Sequence, residues 1–483
     1  MLTASLFIAG ADVRAAGDAT FDRRNPLTGE VASRASAATV ADATRAVDAA
    51  AAAFPAWAST GPAARRAHLL AAARALEARG ADFAEAVAAE TGASGHWAHF
   101  NVHLAAGMLL EAASLTTQIA GDVIPSDTAG SLALALRRPA GVVLGIAPWN
   151  APVILAVRAM AVPLACGNTV VLKGSELCPA SQALVVKALA DAGLPAGVVN
   201  YVTNAPADAP AIVEAMIAHP AVRRVSFTGS TRVGRLVAET CGRHLKPVVL
   251  ELGGKAPLVV LDDADVDEAV SAATFGAFAN SGQICMSTER IIVDERIADA
   301  FLERFVARAT ALPLGDPRTG RVVLGSVVDA STVERANALI DDAIAKGAVL
   351  VCGGKATSTL MPATILDRVT PAMRVYHEES FAPIKPVVRV NGVEAAVAAA
   401  NDTEYGLSAA VFGRDIARAW SVAQRIDSGM CHINGPTVHD EAQMPFGGVK
   451  GSGYGRFGGQ AGIDAFTEMR WVTLQTGPRH YPF

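Results

Sequence analysis

The sequence predicts an α/β protein that contains a parallel sheet of nucleotide-binding type, a second α/β unit and a separate β segment. Two patterns carry this prediction. Short apolar runs alternate with helical stretches from residue 141 to 252, and a similar alternation recurs from about 256 to 440. Apolar strands that alternate with helices of about 10–15 residues specify parallel sheets that are covered on both faces.

The first third of the chain is predicted to be helical. Three segments there carry apolar residues at helical spacing, and Gly or Pro separates them. They are ADATRAVDAAAAAFPAW, PAARRAHLLAAARALEARGADFAEAVAAETG and FNVHLAAGMLLEAASLTTQI. The next segment, SLALALRRPAGVV, alternates in polarity and ends in β-branched residues, which predicts a strand or ribbon.

The parallel sheet follows from five strand-like runs, GVVLGIAP, NTVVLKG, GVVNYVT, VRRVSFTG and KPVVLELGG. Between them we expect helices near 151–165, 180–192, 208–218 and 231–243. The second α/β unit contains the strand-like runs PLVVLDD, ERIIVDE and VVRVNG. The C-terminal run FTEMRWVTLQT has no helix after it, so we expect it to pair with another element or another subunit.

Composition narrows the functional classes. Of 483 residues, 51% are hydrophobic and 18% are charged, which is ample for a large core and two or three domains. The formal net charge of −5 offers no basic surface for nucleic acid or an anionic membrane. The first residues lack a basic leading region and a long apolar stretch, so no secretory signal is predicted.

The cysteines and the apolar segments indicate a cytoplasmic protein. The six cysteines never form a CxxC pair, which is typical of reduced thiols rather than of a disulfide framework or a zinc site. The most apolar run, 141–167, is interrupted by prolines, an asparagine and an arginine, so we expect no membrane-spanning helix.

Three motifs offer the chemistry of a nucleophilic enzyme. Cys285 lies in the glycine-containing loop SGQICMST, where a thiol is either packed as a small hydrophobe or reachable as a nucleophile. Glu251 ends LELGGK among apolar neighbours, which raise a carboxyl pKa and suit a general base or a satisfied structural carboxylate. Asn150 in APWN can donate to an oxyanion or cap the helix that begins near Pro152.

Two further motifs are typical of nucleotide binding. The run VRRVSFTGSTRVGRLV passes from a strand through Gly229 into a helix that holds Gly234, and backbone amides at such a helix start attract phosphate. The run VVLKGSE ends a neighbouring strand with Lys173 and Glu176. An acid at this position can accept hydrogen bonds from ribose hydroxyls and repel a 2′-phosphate, or the two side chains form a solvated surface pair.

In combination, these motifs resemble the NAD(P)-dependent aldehyde dehydrogenase superfamily over essentially the whole chain. GIAPWN, KGSE, FTGSTRVG, LELGGK, GQICMST, EESFAP and PFGGVKGSGYGR occur in that family's order and spacing. The resemblance implies an aldehyde dehydrogenase-like fold, with a Rossmann-type NAD-binding domain at 1–120 and 141–252 and a catalytic domain at 253–445. It also implies a β oligomerisation arm at 121–140 and 466–483, and a homodimer or homotetramer.

The resemblance implies that Cys285 is the nucleophile, Glu251 the general base, and Asn150 an oxyanion donor together with the Cys285 amide. Thiolate attack on an aldehyde gives a thiohemiacetal that can lose hydride, and the resulting thioester then needs an activated water. A free thiol has a pKa of about 8.5, so we expect the loop amides or the cofactor to lower that of Cys285. The implied cofactor-binding residues are Pro148, Trp149, Lys173, Glu176, Gly229, Ser230, Gly234, Leu252, Glu379 and Phe381.

By the same resemblance, the helix PVILAVRAMAVPLA lines the aldehyde tunnel. Arg158 is its lone charge and shares a face with Ala151 and Ile154. A buried arginine either pairs with a structural partner or meets a substrate oxygen. The predicted lining comprises Trp97, Ala151, Arg158, Ile284, Met286 and Phe446.

This lining predicts a planar aromatic aldehyde, since flat apolar walls favour a ring and Arg158 favours a hydroxyl or carboxylate on it. The resemblance, which extends to GHWAHFNVH and the closing YPF, implies a substrate of the salicylaldehyde or benzaldehyde type. A carboxylated substrate such as succinate semialdehyde is the alternative, because Arg158 can clamp a carboxylate. A cofactor-free cysteine hydrolase leaves the nucleotide motifs unexplained, and a non-catalytic descendant should have lost Cys285 or Glu251. His96, His99 and His103 share a helical face without a carboxylate or cysteine, so no metal is expected.

Overall fold

The computed structural model describes residues 1–483, which form 21 strands and 15 α-helices. The strands are β1 Leu2–Ala4, β2 Leu6–Ile8, β3 Ala11–Val13, β4 Thr20–Arg24, β5 Val31–Ser36, β6 Asp122–Ile124, β7 Ser131–Pro139, β8 Val142–Ile146, β9 Thr169–Lys173, β10 Val199–Val202, β11 Val222–Thr228, β12 Val248–Glu251, β13 Pro257–Val260, β14 Arg290–Asp294, β15 Val349–Cys352, β16 Thr364–Asp367, β17 Ile384–Val390, β18 Ser408–Phe412, β19 Met430–Ile433, β20 Gly453–Tyr454 and β21 Thr467–Gln475. The helices are α1 Val40–Ala58, α2 Pro62–Glu77, α3 Gly80–Thr91, α4 Gly95–Leu115, α5 Pro152–Ala165, α6 Pro179–Asp191, α7 Ala209–Ala218, α8 Thr231–Arg243, α9 Val266–Phe278, α10 Ala298–Thr310, α11 Ala330–Ala345, α12 Arg374–His377, α13 Gly392–Asn401, α14 Ile416–Ala423 and α15 Gly459–Phe466.

The first large sheet has the strand order β20-β12-β11-β8-β9-β10-β2-β3. Its five central strands, β12 to β10 in that order, are parallel, as the alternating pattern predicts. They are short and almost wholly buried, because helices α1 and α5 to α8 cover the sheet and contribute to its apolar core. At one edge β20 pairs antiparallel with β12, and at the other β2 pairs antiparallel with β10 and β3 with β2, which the sequence pattern did not indicate.

The N-terminal region differs from its predicted helical character in the first 36 residues. Helices α1 to α4 lie where apolar residues recur at helical spacing, but five strands precede them. Strands β1 to β3 are each three residues long, too short to show an alternating pattern. Tertiary pairing with β5 and β10 therefore decides their conformation.

The second large sheet has the order β15-β16-β17-β14-β13-β18-β19 and is parallel except for β15. Strand β12 of the first sheet ends at Glu251, and β13 of the second begins at Pro257. The short connection between them joins the two sheets, and the site described below lies around it. None of the helices is long and apolar enough to cross a lipid bilayer.

The C-terminal strand β21 pairs along its whole length with β7, which in turn pairs with β6. The prediction that this strand needs a partner is therefore met within the same chain. The sheet still presents apolar side chains to solvent, and Trp471 on β21 is 77% exposed.

Candidate active site

Cys285 follows a tightly wound turn. Asn280, Ser281 and Gly282 all have left-handed backbone angles, with φ of 48°, 56° and 74°. Two of them carry side chains that disfavour this conformation, so the surrounding contacts must hold the turn, as is common at functional sites. A Cβ at Gly282 would lie 2.4 Å from the Ala382 carbonyl oxygen, so only glycine fits there. Cys285 emerges from this turn partly exposed, which favours the reachable nucleophile over the packed hydrophobe.

Asn150 is bound to the turn. Its Nδ2 donates to the Gln283 carbonyl (3.0 Å), while its own carbonyl accepts from Asn280 Nδ2 (3.0 Å) and Trp97 Nε1 (2.8 Å). The alternative that Asn150 caps α5 is wrong, because Ala151 is the N-cap residue and makes no side-chain cap. One amide hydrogen of Asn150 remains for a substrate oxygen.

Glu251 is buried at the end of β12, and neither of its carboxylate oxygens has a hydrogen-bond partner within the chain. Burial raises its pKa well above the usual value, although the charges of Arg158 and Arg456 partly oppose this effect. The backbone crowds it closely, since a Cβ at Gly447 would lie 2.7 Å from Glu251 Oε1. A desolvated, unpartnered carboxyl is suited to accept a proton rather than to support structure.

The environment of Cys285 corrects one expectation. Burial and the nearby charge of Glu251 raise the pKa of the Cys285 thiol to about 12. Arg158 opposes this shift, but the loop does not lower the pKa. The thiol of the protein alone is therefore protonated near neutral pH, and a positive charge must come from a bound group for it to ionise.

A cleft of about 620 Å³ lies at the carboxyl ends of the parallel strands of the first sheet. It is lined by several of the predicted cofactor residues, among them Pro148, Trp149, Lys173, Glu176, Gly229 and Ser230. Clefts at this edge are the usual nucleotide sites of open α/β sheets. Lys173 and Glu176 form an ion pair, and Lys173 is buried, so they are not the solvated surface pair that was the alternative.

The start of α8 forms one part of the cleft wall. Ser230 is its N-cap residue and accepts from the Val233 amide. Gly234 and Leu252 lie beneath the cleft, and a Cβ at Gly234 would meet Leu252 at 2.4 Å. Glycine therefore lets α8 lie directly on the end of β12, which brings the helix start to the cleft.

Glu379 and Phe381 lie on the Cys285 side of this arrangement. Glu379 Oε1 accepts from the Gly254 amide (2.9 Å), and burial raises the pKa of this carboxyl to about 7. The Phe381 ring meets that of Trp149 edge-on, with centroids 5.8 Å apart. Because Trp149 also lines the cleft, this contact joins Phe381 to the cleft that holds Glu176.

Arg158 has a partner that sequence reasoning missed. Its guanidinium pairs with Asp440, and the side chains are 6% and 8% exposed. It also lies over the Phe446 ring at 4.1 Å, and these groups line one recess together with Phe457. Asp440 is distant in sequence and lies in a polar loop, so no local signal could have identified it.

The other predicted pocket residues belong to one large apolar cluster. Cys285 packs against this cluster, whose members include the pocket residues Trp97, Ala151, Ile284, Met286 and Phe446. The indole of Trp97 stacks on Phe100, with centroids 5.4 Å apart. Flat and apolar side chains of this kind suit contact with an aromatic ring.

Comparisons with known proteins agree with this geometry. The model of the "Aldehyde dehydrogenase family" matches residues 13–472. The chain is 63% identical to a vanillin dehydrogenase of Pseudomonas fluorescens over 100% of both chains, and 38% identical to a benzaldehyde dehydrogenase [NAD(+)] of Pseudomonas putida over 95% and 94%. The crystal structure of a salicylaldehyde dehydrogenase from Pseudomonas putida G7 complexed with salicylaldehyde is 51% identical, with a TM-score of 0.99 and full coverage of both chains.

Proposed function

The chain belongs to the aldehyde dehydrogenase family, and we propose that it oxidises hydroxylated aromatic aldehydes to their carboxylic acids with NAD. The observation that carries the reaction is the buried, unpartnered Glu251 carboxyl beside the partly exposed Cys285 thiol. The names of relatives that span the whole chain support the aromatic substrate and NAD.

The cleft residues fit NAD. The helix start at Ser230 offers amides for the pyrophosphate, and Glu176 can accept hydrogen bonds from the adenosine ribose. On the other side, we assign Glu379 to the nicotinamide ribose and Phe381 to the nicotinamide ring. When bound, NAD supplies the hydride acceptor and a positive ring that stabilises the Cys285 thiolate.

In the first half of the reaction, the Cys285 thiol releases its proton to solvent, its sulfur attacks the aldehyde carbon, and the carbonyl oxygen becomes an oxyanion. The free amide hydrogen of Asn150 and the Cys285 backbone amide donate to this oxygen. Because the Gln283 carbonyl fixes the Asn150 side chain, the donor needs no reorganisation as the charge develops. The tetrahedral carbon then loses its hydride and a thioester remains on Cys285.

In the second half, Glu251 takes a proton from a water that attacks the thioester. Burial raises its pKa and so its affinity for a proton, and its free oxygens are available to a water. Collapse of the tetrahedral adduct releases the acid and returns the thiol. Phe457 stands where the family often has an acidic residue, so we assign the base role to Glu251 alone.

The recess around Arg158 favours a neutral, hydroxylated ring over a carboxylated substrate. Arg158 and Asp440 together are neutral, and they offer an N–H donor next to a carboxylate acceptor. A phenolic hydroxyl both donates and accepts, so it matches this pair. A substrate carboxylate would face Asp440 and Glu251, and burying it beside them is costly. A carboxylated substrate such as succinate semialdehyde is therefore disfavoured.

We further propose that the enzyme works as a homodimer or homotetramer in the cytoplasm. The unpaired edge and exposed apolar face of β21 suit contact with a second subunit. All six cysteines are free thiols, which suits a reducing compartment.

The test is a comparison of kcat/KM for salicylaldehyde, vanillin, benzaldehyde, hexanal and succinate semialdehyde, followed by the absorbance of reduced nicotinamide. We expect the hydroxylated rings to be the best substrates and succinate semialdehyde the poorest. Cys285→Ala should abolish turnover while NAD binding, measured by calorimetry, stays within about twofold. A preference for succinate semialdehyde would overturn the substrate assignment, and turnover by Cys285→Ala would overturn the covalent route.

A further inference from the structure

A group of buried charges lies behind the active site and takes no part in the reaction described above. Lys255, Glu289 and Lys385 are each at most 1% exposed. They lie at the beginnings of the neighbouring strands β13, β14 and β17 of the second sheet. Charged residues are rarely buried so completely unless they are paired, and these three are paired with one another.

Glu289 is the centre of this group. Its Oε2 accepts from Lys255 Nζ (2.7 Å) and from the Ser380 amide (2.9 Å). Its Oε1 accepts from Ser380 Oγ (2.7 Å) and from Lys385 Nζ (3.3 Å). Burial alone would raise the pKa of Glu289, but the two lysines outweigh it and lower the pKa to about 2. The carboxylate therefore stays charged and keeps all its partners at any working pH.

These contacts bracket Glu379 on both sides. Lys255 Nζ donates to the Glu378 carbonyl (2.6 Å), and Glu289 accepts from the Ser380 amide, so the peptide groups before and after Glu379 are both fixed. The Gly254 amide fixes the Glu379 side chain from a third direction. Phe381 follows Ser380 directly and has a left-handed φ of 46°, so the contacts that fix Ser380 also restrain Phe381.

The group also reaches the nucleophile loop. Lys385 Nζ donates to Ser287 Oγ (3.1 Å), two residues after Cys285, and Glu289 is four residues after Cys285. The side chains of one charged cluster therefore fix the Cys285 loop and the Glu379–Phe381 loop relative to each other. The structure shows no other set of side chains that links both loops through buried charges.

We propose that Glu289, with Lys255, Lys385 and Ser380, is a positioning residue that aligns the nicotinamide half of the cofactor with Cys285. This inference rests on the proposed function for the identity of the cofactor. It assigns Glu289 no contact with substrate or cofactor. It predicts that loss of the cluster weakens contacts at the nicotinamide end and spares the adenosine end, where Glu176 and Ser230 lie.

The test compares the binding of NADH and of ADP by isothermal titration calorimetry. NADH uses both ends of the cleft and ADP only the adenosine end, so their ratio isolates the contribution of the Glu379 loop. In Glu289→Gln we expect NADH binding to weaken about tenfold, while ADP binding changes by less than about twofold. Ser380→Ala removes one hydrogen bond without leaving a charge unpaired, and should shift the ratio in the same direction by a smaller factor.

The matched control is Asp367→Asn. Asp367 is buried and pairs with Arg389 near the far end of β17, the strand that carries Lys385. Its loss should lower thermal stability but leave the ratio of NADH to ADP affinity unchanged. If Glu289→Gln does not fold, Ser380→Ala decides the question alone.

Two results would overturn the inference. Equal weakening of NADH and ADP in Glu289→Gln and Ser380→Ala, or no change in either, would show that the cluster serves stability only. A wild-type protein that binds neither ligand would instead remove the proposed function, on which the inference rests. These outcomes are distinct, because the second is seen before any variant is made.

Discussion

Replacement of Arg158 by methionine tests both the ion pair and the substrate assignment. The change keeps the volume of the aliphatic stem but removes the guanidinium from Asp440 and from the Phe446 ring at 4.1 Å. The Asp440 carboxylate is then left buried without its partner. Breaking a buried pair in this way costs about 3–5 kcal/mol of stability. We expect a clear fall in the thermal midpoint of Arg158→Met.

The double variant Arg158→Met/Asp440→Asn removes both charges together. Replacing a buried pair by neutral side chains of similar size is often close to neutral in stability. We therefore expect the thermal midpoint to return most of the way to the wild-type value. This variant separates the cost of an orphaned charge from any role in recognition, because the fold is restored while the guanidinium is still absent.

The kinetic readout is the ratio of kcat/KM for salicylaldehyde or vanillin to that for benzaldehyde. If a ring hydroxyl meets the Arg158–Asp440 pair, its loss removes one charge-assisted hydrogen bond, worth about 1.5–3 kcal/mol. The ratio should fall about ten- to a hundredfold in the double variant, since benzaldehyde has no such bond to lose.

A double variant with restored stability and an unchanged ratio would refute the recognition role. Arg158 and Asp440 would then be a structural pair only, and the aromatic assignment would rest on the pocket walls and the relatives. A stable Arg158→Met single variant would refute the energetic argument, because it would mean that Asp440 is not left desolvated.

Three further predictions follow from the site. Because the pKa of the Cys285 thiol is about 12 without cofactor, alkylation of Cys285 should accelerate about tenfold per pH unit from pH 7 to 9 and rise further with NAD. A rate independent of pH would contradict a protonated thiol. The kcat/KM with NAD should exceed that with NADP about ten- to a hundredfold, since Glu176 repels a 2′-phosphate. Glu176→Ala should reduce this ratio, because it also frees Lys173 from its ion pair. Equal kcat/KM with the two cofactors in the wild type would remove Glu176 from the ribose site. Trp471→Glu should lower the fraction of oligomer that light scattering measures, since Trp471 is 77% exposed on the outer face of β21. A wild-type protein that is monomeric in the same measurement would contradict the proposed assembly.

The sequence predicts the central part of the fold closely, because the signals there are local. Helix α8 has the predicted bounds 231–243, and α5 to α7 begin within one residue of their predicted starts. The strands between them are apolar runs bounded by glycine or polar residues, which tertiary context does not override. The first three strands are too short to show such a pattern, and β2 pairs with β10, which lies far along the chain.

The site residues also divide into those that local motifs predict and those that depend on distant contacts. Cys285, Glu251 and Asn150 each lie in a short motif, so their types and order were sufficient to nominate them. The partner of Arg158 and the role of Glu289 depend on contacts between segments far apart in sequence, which no local pattern encodes. The pKa of Cys285 also depends on burial and on Glu251, and so its direction was not apparent from the loop.

The most direct test of the account is mass spectrometry of Glu251→Gln mixed with benzaldehyde and NAD. Without the base, the thioester should accumulate after one burst of reduced nicotinamide, since hydrolysis needs a proton acceptor beside Cys285. We expect the Cys285 peptide to gain the mass of a benzoyl group, and only when NAD is present. A burst of reduced nicotinamide with no adduct on Cys285, or steady turnover at the wild-type rate, would contradict the covalent mechanism with Glu251 as its base.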